Sequence, residues 1–419
     1  MKEHLTGLLG ASFDALVAKG HLDEAHLPKT IAIETARDPK HGDFASNVAL
    51  VSAKAAGHKP RDLAQLLVDH LPASPSVAGV DIAGPGFINF RVSGDVFRTL
   101  LADILTQGER YGWRDAAPEA RERILLEFVS ANPTGPLHVG HGRLAAYAAT
   151  LGNLLESQGH EVHREYYVND AGRQMQILAA SVWLRYLTLC GESVPFPANG
   201  YRGDYIVAIA EGLRQEEGDG LSHPSAQVLA DLPADEPNGG DKERYIDAMI
   251  ERARALLGAE RFQSVLRVAL EAILADIRDD LAEFGVHYDE WFSEQRLMDE
   301  ALVEHALEKL RESGQVYEQD GALWFRATAY GDDKDRVVKR ENGVTTYFAS
   351  DIAYHLNKRE RGHDRLLDVL GADHHGYVAR VCAGLAAMGE PPEALEVQLV
   401  QFVALYRGQV KQQMSTRSG

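Results

Sequence analysis

His138 and His141 stand three residues apart in a loop of small and turn-forming residues, Ser130-Ala-Asn-Pro-Thr-Gly-Pro-Leu-His-Val-Gly-His-Gly-Arg143. Neutral imidazoles donate hydrogen bonds to phosphate oxygens without holding a full charge near neutral pH. The apolar run Ile124–Val129 before the loop reads as a buried strand. Leu144–Ser157 after it reads as a helix stopped by Gly159, with Leu144, Tyr147, Leu151, Leu154 and Leu155 on its apolar face. The histidines therefore fall where a strand turns into a helix, and a helix N-terminus offers free N–H groups and partial positive charge to a phosphate. Pro133 and Pro136 keep the loop extended. Gly140 and Gly142 let a ligand approach the backbone closely. Surface histidines or half of a metal site are the competing readings. Zinc is disfavoured because no Cys or carboxylate stands nearby at ligand spacing.

Ala131–His141 resembles the first signature of class I aminoacyl-tRNA synthetases, and its Asn-Pro-x-Gly-Pro-Leu-His form is similar to the bacterial arginyl-tRNA synthetases. Further matching stretches follow in order: Tyr167–Gln174, Gly331–Arg336, Tyr347–Asp351, Gly371–Gly376 and Met414–Gly419. The resemblance runs from about Pro39 to the last residue. It implies an arginine–tRNA ligase that uses ATP with Mg2+ to form arginyl-AMP and then charges tRNA(Arg), with tRNA bound before activation. It also implies a cytoplasmic monomer with no membrane partner.

Residue roles follow from the same resemblance. His138 and His141 hold the phosphates, and Gly140 lies beneath adenine or ribose. Gly142, Gly371, Asp373, Met414 and Ser415 complete the ATP site. Asn132 takes the ammonium or carboxylate end of the amino acid. Asp351 and Glu294 face the guanidinium, whose planar donors want bidentate acceptors. Tyr347 lines that pocket, and His374 falls where the family has a substrate-contacting residue of another type. Asp351 taken by itself reads as a helix N-cap. The second signature normally carries two lysines, whereas this chain has Gln413-Met-Ser-Thr-Arg417. Arg417 is the expected cover for the leaving pyrophosphate, with Lys411 assisting. Phe87 and Asn89 are candidate contacts to the tRNA elbow, by stacking and hydrogen bonding. Asp335 and Arg336, in a charge run that by itself reads as a solvated loop, could shape the catalytic side.

The chain has 419 residues, enough for roughly two to four domains. Its net charge of −19 excludes indiscriminate nucleic-acid binding but leaves room for a local basic surface. No apolar run is long enough to span a membrane, and the N-terminus lacks a signal core. Cys190 and Cys382 read as small core residues in a reducing cytosol.

The expected fold class is α/β, a class I synthetase Rossmann-like parallel sheet split by a helical insertion and preceded by a small α+β domain. Residues 1–110 form the N-terminal tRNA-contacting module, with strands joined by Gly84-Pro-Gly86 and one polar face, Phe87, Asn89 and Arg91. Residues 111–180 form the first half of the nucleotide fold, where Asn169 and Asp170 cap a helix. Residues 181–345 form the insertion, with a mobile surface loop over 216–242 and a hairpin turning at Asp320-Gly321. Residues 346–419 return to the fold, with strands over 345–350 and 397–405. The anticodon-binding domain that follows in the resembled family is expected to be absent. The alternatives are a non-arginyl class I synthetase and a non-catalytic tRNA-binding or regulatory paralogue.

Overall fold

Leu5, Leu8, Leu9, Phe13 and Leu16 recur at helical spacing, and all are buried on α1 (Lys2–Ala18). The structure, a computed structural model, describes residues 1–36, 38–372, 376, 378–401 and 403–412. The chain divides into two compact units, Met1–Gly112 and Trp113–Gly419.

In the first unit α1 is followed by β1 (Glu34–Thr35), β2 (Phe44–Ser46), α2 (Val48–Ser52), α3 (Pro60–Asp69), β3 (Val77–Ala83), β4 (Phe87–Val92) and α4 (Gly94–Gln107). The strands form an antiparallel sheet in the order β1-β2-β4-β3. Gly86 closes the β3–β4 turn at φ 142°, where a Cβ would meet the Pro60 carbonyl oxygen at 2.8 Å. The expected polar face of β4 is only partly wet. Phe87 and Arg91 are exposed, but Asn89 retains 5% of its surface. Asn89 sits mid-strand between Ala45 on β2 and Asp81 on β3, and neighbours on both sides cover it.

The second unit runs β5 (Arg123–Phe128), α5 (Val139–Ser157), β6 (Glu161–Val168), α6 (Arg173–Leu189), α7 (Asp204–Glu217), α8 (Ser225–Val228), α9 (Lys242–Glu283), β7 (Glu290–Ser293), α10 (Gln295–Asp299), α11 (Leu302–Glu312), β8 (Val316–Gln319), β9 (Ala322–Phe325), β10 (Arg336–Lys339), α12 (Tyr347–Glu360), β11 (Arg365–Gly371), α13 (Val378–Ala387), β12 (Leu395–Val400), β13 (Leu405–Arg407) and β14 (Val410–Gln412). Five strands pair in parallel in the order β12-β11-β5-β6-β7. From β5 the chain first builds outward through β6 and β7, then returns to the other side for β11 and β12. The strand order therefore reverses between β5 and β11, where such sheets open a ligand crevice at their carboxyl ends.

Several local expectations are corrected. The β-branched and aromatic run at 345–350 is not a strand. Thr346 caps α12, its Oγ1 accepting from Ala349 N, so Asp351 lies inside the helix and is not its N-cap. The last sheet strand ends at Val400, and 405–412 fold back as the separate hairpin β13–β14. Strand β7 falls inside the 181–345 segment yet extends the main sheet. The 216–242 loop is anchored, because Leu221 and Val228 are buried and Trp183 Nε1 donates to the Leu221 carbonyl. Helix α5 buries Ala145, Ala148 and Gly152, whereas Tyr147 and Leu154 are exposed. Those small residues let the helix lie close to the sheet; a Cβ on Gly152 would touch Leu126 and Arg164 at 3.1 Å. Cys190 and Cys382 are half-buried.

Candidate active site

A cleft of about 590 Å³ opens at the carboxyl ends of β5 and β11, and it is lined by Asn132, His138, Gly140, His141, Asp351 and Gly371 among others. The chain leaves β5 through Val129 (φ 66°) and Ser130 (φ 40°), both left-handed and neither glycine. Such conformations cost on the order of 1–3 kcal/mol each and persist only where the surroundings over-determine them. Here Ser130 Oγ donates to Glu127 Oε1 at 2.9 Å and accepts from Tyr167 N at 3.1 Å. Three tyrosine hydroxyls then donate to backbone carbonyls at the strand end and in the loop: Tyr288 to Phe128 (3.1 Å), Tyr166 to Ala131 (3.0 Å) and Tyr205 to Thr134 (2.7 Å).

The histidines open α5 as a reciprocal cap. His138 is the N-cap, its Nδ1 accepting from Gly140 N, while the His138 backbone N–H donates to His141 Nδ1, each at 3.2 Å. The rings stack with centroids 3.8 Å apart. Both Nδ1 atoms are acceptors, so each neutral ring carries its proton on Nε2. Burial and the neighbouring His138 lower the His141 pKa to about 4, so it is uncharged at neutral pH. The pair is thus two preorganised Nε2–H donors beside a helix N-terminus. Gly140 is needed for the stack as well as for ligand approach, because a Cβ there would press on the His138 ring at 3.0 Å.

Acidic groups gather around Asp351, which lines the cleft. Glu294, after β7, is 8% exposed, and its Oε2 has no hydrogen-bond partner among the described residues. Burial, then Asp170 and Asp351, push its pKa up to about 7. A buried, unpartnered carboxylate oxygen beside two further carboxylates is a place for a cationic ligand group. Asp170 does not cap α6, whose N-cap is Gly172; it accepts instead from Ser293 Oγ (2.6 Å) and Gln295 N (3.1 Å), tying β6 to the end of β7. Asn169 lines the cleft.

Other expected site residues lie apart from this lining. Tyr347 is 75% exposed at the first position of α12, so it does not line the pocket. Gly142 is one turn into α5 and Lys411 is exposed on β14; neither is among the lining residues. Asp335 binds Thr328 and Tyr317, and Arg336 pairs with Asp332, so both serve the 327–336 turn and not the cleft. Asp373, His374, Met414, Ser415 and Arg417 lie outside the described residues. No local pattern in the sequence marks the tyrosine clamps, because their partners are backbone carbonyls distant in sequence. Glu127 within Ile124–Phe128 and Asp368 within Leu366–Leu370 did leave a signal, a lone acid inside an apolar strand.

Residues 7–92 match the family model described as the arginyl tRNA synthetase N terminal domain. Residues 100–187 and 256–419 match that of the class I (R) tRNA synthetase catalytic domain. The chain belongs to the arginyl-tRNA synthetase family. Within this family it is 57% identical to the arginine–tRNA ligase of Thioalkalivibrio sulfidiphilus over 419 residues, covering all of this chain and 71% of that one. It is 53% identical to the Hydrogenovibrio crunogenus arginine–tRNA ligase, again over 100% of this chain and 71% of the relative. The Thermus thermophilus arginyl-tRNA synthetase structure shares the fold with TM-score 0.62 at 23% identity, over 96% of this chain and 66% of that one. Membership sets the reaction class, ATP-dependent aminoacyl-tRNA ligation of class I, and the fold is that of a class I arginyl-tRNA synthetase.

Proposed function

We propose that this cleft activates arginine with ATP, forming arginyl-AMP, and passes the arginyl group to the 3′ end of tRNA(Arg). The observation that supports the residue-level reading is a cleft lined at one place by the Nε2–H donors of His138 and His141 and at another by Asp351, with Glu294 close enough to Asp351 for that acid to raise its pKa. The arginine carboxylate attacks the α-phosphorus in line, and the protein mainly orients the reactants and neutralises phosphate charge. His138 and His141 hold phosphate oxygens while Asn132 orients the amino-acid head group. Gly140, Gly371, Asp373, Met414 and Ser415 accommodate the nucleotide. Arg417, with Lys411, covers the leaving pyrophosphate in place of the usual lysines. Asp351 and Glu294 receive the guanidinium, with His374 as a flanking contact, and the exposed Phe87 meets tRNA.

Magnesium would travel with the ATP phosphates, where it screens their charge. Of the two acidic and histidine clusters among the described residues, Glu127–His355–Asp368 already holds the ammonium of Lys358, and Glu290 of His163–Glu165–Glu290 pairs with Arg361 at 2.8 Å. We also propose a monomer working in the cytoplasm, on the family resemblance. No helix among the described residues is long and apolar enough to cross a membrane.

Arginine-dependent ATP–pyrophosphate exchange, with and without tRNA and beside lysine and citrulline, tests this reading. Exchange that needs both arginine and tRNA is the expected result. Retained tRNA binding with no exchange would favour a non-catalytic paralogue.

A pH series tests Glu294. Below pH ~7 its carboxyl is protonated and must lose that proton to pair with a guanidinium. Arginine affinity should therefore fall with acidification, by up to about tenfold per pH unit below pH ~7. Calorimetric affinities that stay flat between about pH 5.5 and 8 would remove Glu294 from the pocket.

A further inference from the structure

Lys358 lies on α12 with no exposed surface. Its Nζ donates to Glu127 Oε2 on β5 at 2.5 Å and to Asp368 Oδ1 on β11 at 2.9 Å, and it sits 4.3 Å from the centre of the Tyr354 ring. Burial pulls its pKa down, but Asp368, Glu127 and Glu165 outweigh that, and the net shift is upward, so the group stays charged. The three ligand-type residues Glu127, His355 and Asp368 bring their atoms within 4.8 Å of one another. The ammonium bonded to both carboxylates is their cation.

Two chains of contacts leave this ammonium. Through Glu127, Oε1 accepts from Ser130 Oγ, which accepts in turn from Tyr167 N; these bonds hold the left-handed Val129–Ser130 step from which Asn132 and the histidine loop depart. Through Asp368, Oδ2 lies 2.7 Å from His355 Nε2, and His355 Nδ1 lies 2.8 Å from the Asp351 carbonyl oxygen. That second chain reaches the helical turn bearing Asp351. Glu127 and Lys358 are 231 positions apart, one on each half of the split sheet fold.

We infer that Lys358 is a positioning residue that fixes the phosphate end of the cleft relative to the arginine end, through Glu127–Ser130 on one side and Asp368–His355 on the other. The inference rests on the proposed function for what those two ends bind. Buried ion networks add little net stability, because desolvation offsets their attraction. The contribution of this network is geometric: a displacement of about 1 Å between bound reactants can cost on the order of 10²-fold in rate.

The test compares binding of the halves with binding of the whole. Lys358→Met leaves an uncompensated buried carboxylate and risks unfolding, so the paired variant Lys358→Met/Glu127→Gln, which removes one charge of each sign, is the main probe. Ser130→Ala breaks the same chain one link further on without removing a buried charge, though it takes one hydrogen bond from the Glu127 carboxylate. Ligands are arginine, ATP and a non-hydrolysable sulfamoyl analogue of arginyl-AMP, titrated by calorimetry against the full chain, with thermal unfolding beside each. In the paired variant the affinities for arginine and for ATP should stay within about threefold, while the two-ended analogue weakens about 10²-fold. Ser130→Ala should weaken the analogue less, and should add little on top of the paired variant, as links of one chain do. A folded paired variant, or a Ser130→Ala protein, that binds the analogue as tightly as wild type overturns the inference alone. Wild-type protein that binds neither half nor the analogue overturns the proposed function, and the inference with it.

Discussion

Asp351→Asn lowers kcat/KM for arginine about 10³-fold, roughly 4 kcal/mol, while the KM for ATP stays within about threefold. The carboxylate stands on the second turn of α12, where the residue lines the cleft, close enough to Glu294 to raise that group's pKa. Asn keeps the shape but removes the charge, so a bound guanidinium faces one acid in place of two. A site built from paired polar groups also rejects analogues lacking them, by as much as roughly 10⁴-fold, so citrulline should gain on arginine in the variant. A second consequence distinguishes a charge effect from a packing effect. Asp351 helps to hold the Glu294 pKa up. Without it Glu294 ionises at lower pH, and the acid-side fall in arginine affinity moves to lower pH. Steady-state exchange kinetics with arginine and citrulline across that range read both effects. Unchanged discrimination would remove Asp351 from the pocket.

His141→Ala lowers kcat for adenylate formation by about 10²–10³, as loss of one preorganised oxyanion donor does. Little change in KM is expected, because the donor acts where charge develops in the transition state. The prediction follows from the tautomers: Nδ1 of each ring accepts a backbone N–H, which leaves Nε2–H for the ligand. His138 has a second duty as N-cap, and losing a cap costs about 1 kcal/mol of stability. His138→Asn separates the two duties, because Asn caps well but cannot present the Nε2–H. It should keep the melting temperature close to wild type and still lose activity comparably. Pre-steady-state adenylate formation and a thermal melt on the same samples make the comparison. A variant of either histidine with wild-type kcat would assign the loop to structure alone.

Much of the site was legible because its parts are local. The Asn132–His141 loop, the strand before it and the helix after it lie within one continuous stretch, where turn chemistry and capping are short-range. The hairpin at Asp320-Gly321 was equally readable, since both residues take the positive φ that such turns require (53° and 75°). Asp351 is legible through its motif, but its place inside the helix is not, because the Thr-Tyr-Phe run before it has strand composition while Thr346 supplies the cap. Asn89 was misread because alternation reports the two faces of a strand, not whether neighbouring strands cover one of them.

By itself the sequence determined the family, the α/β class, the order of strands and helices around the loop, and the residue types available for phosphate and guanidinium. These follow from short-range periodicity and from motifs whose members are contiguous. Only the tertiary structure decided which of those residues share one cleft: Asp351 with Asn132 and the two histidines, but not Tyr347. It alone set the strand order β12-β11-β5-β6-β7, with its reversal between β5 and β11, and the buried ammonium bridging Glu127 and Asp368. Burial, desolvation and pairing across more than two hundred residues depend on which elements pack together, and no local pattern in the chain encodes that distance.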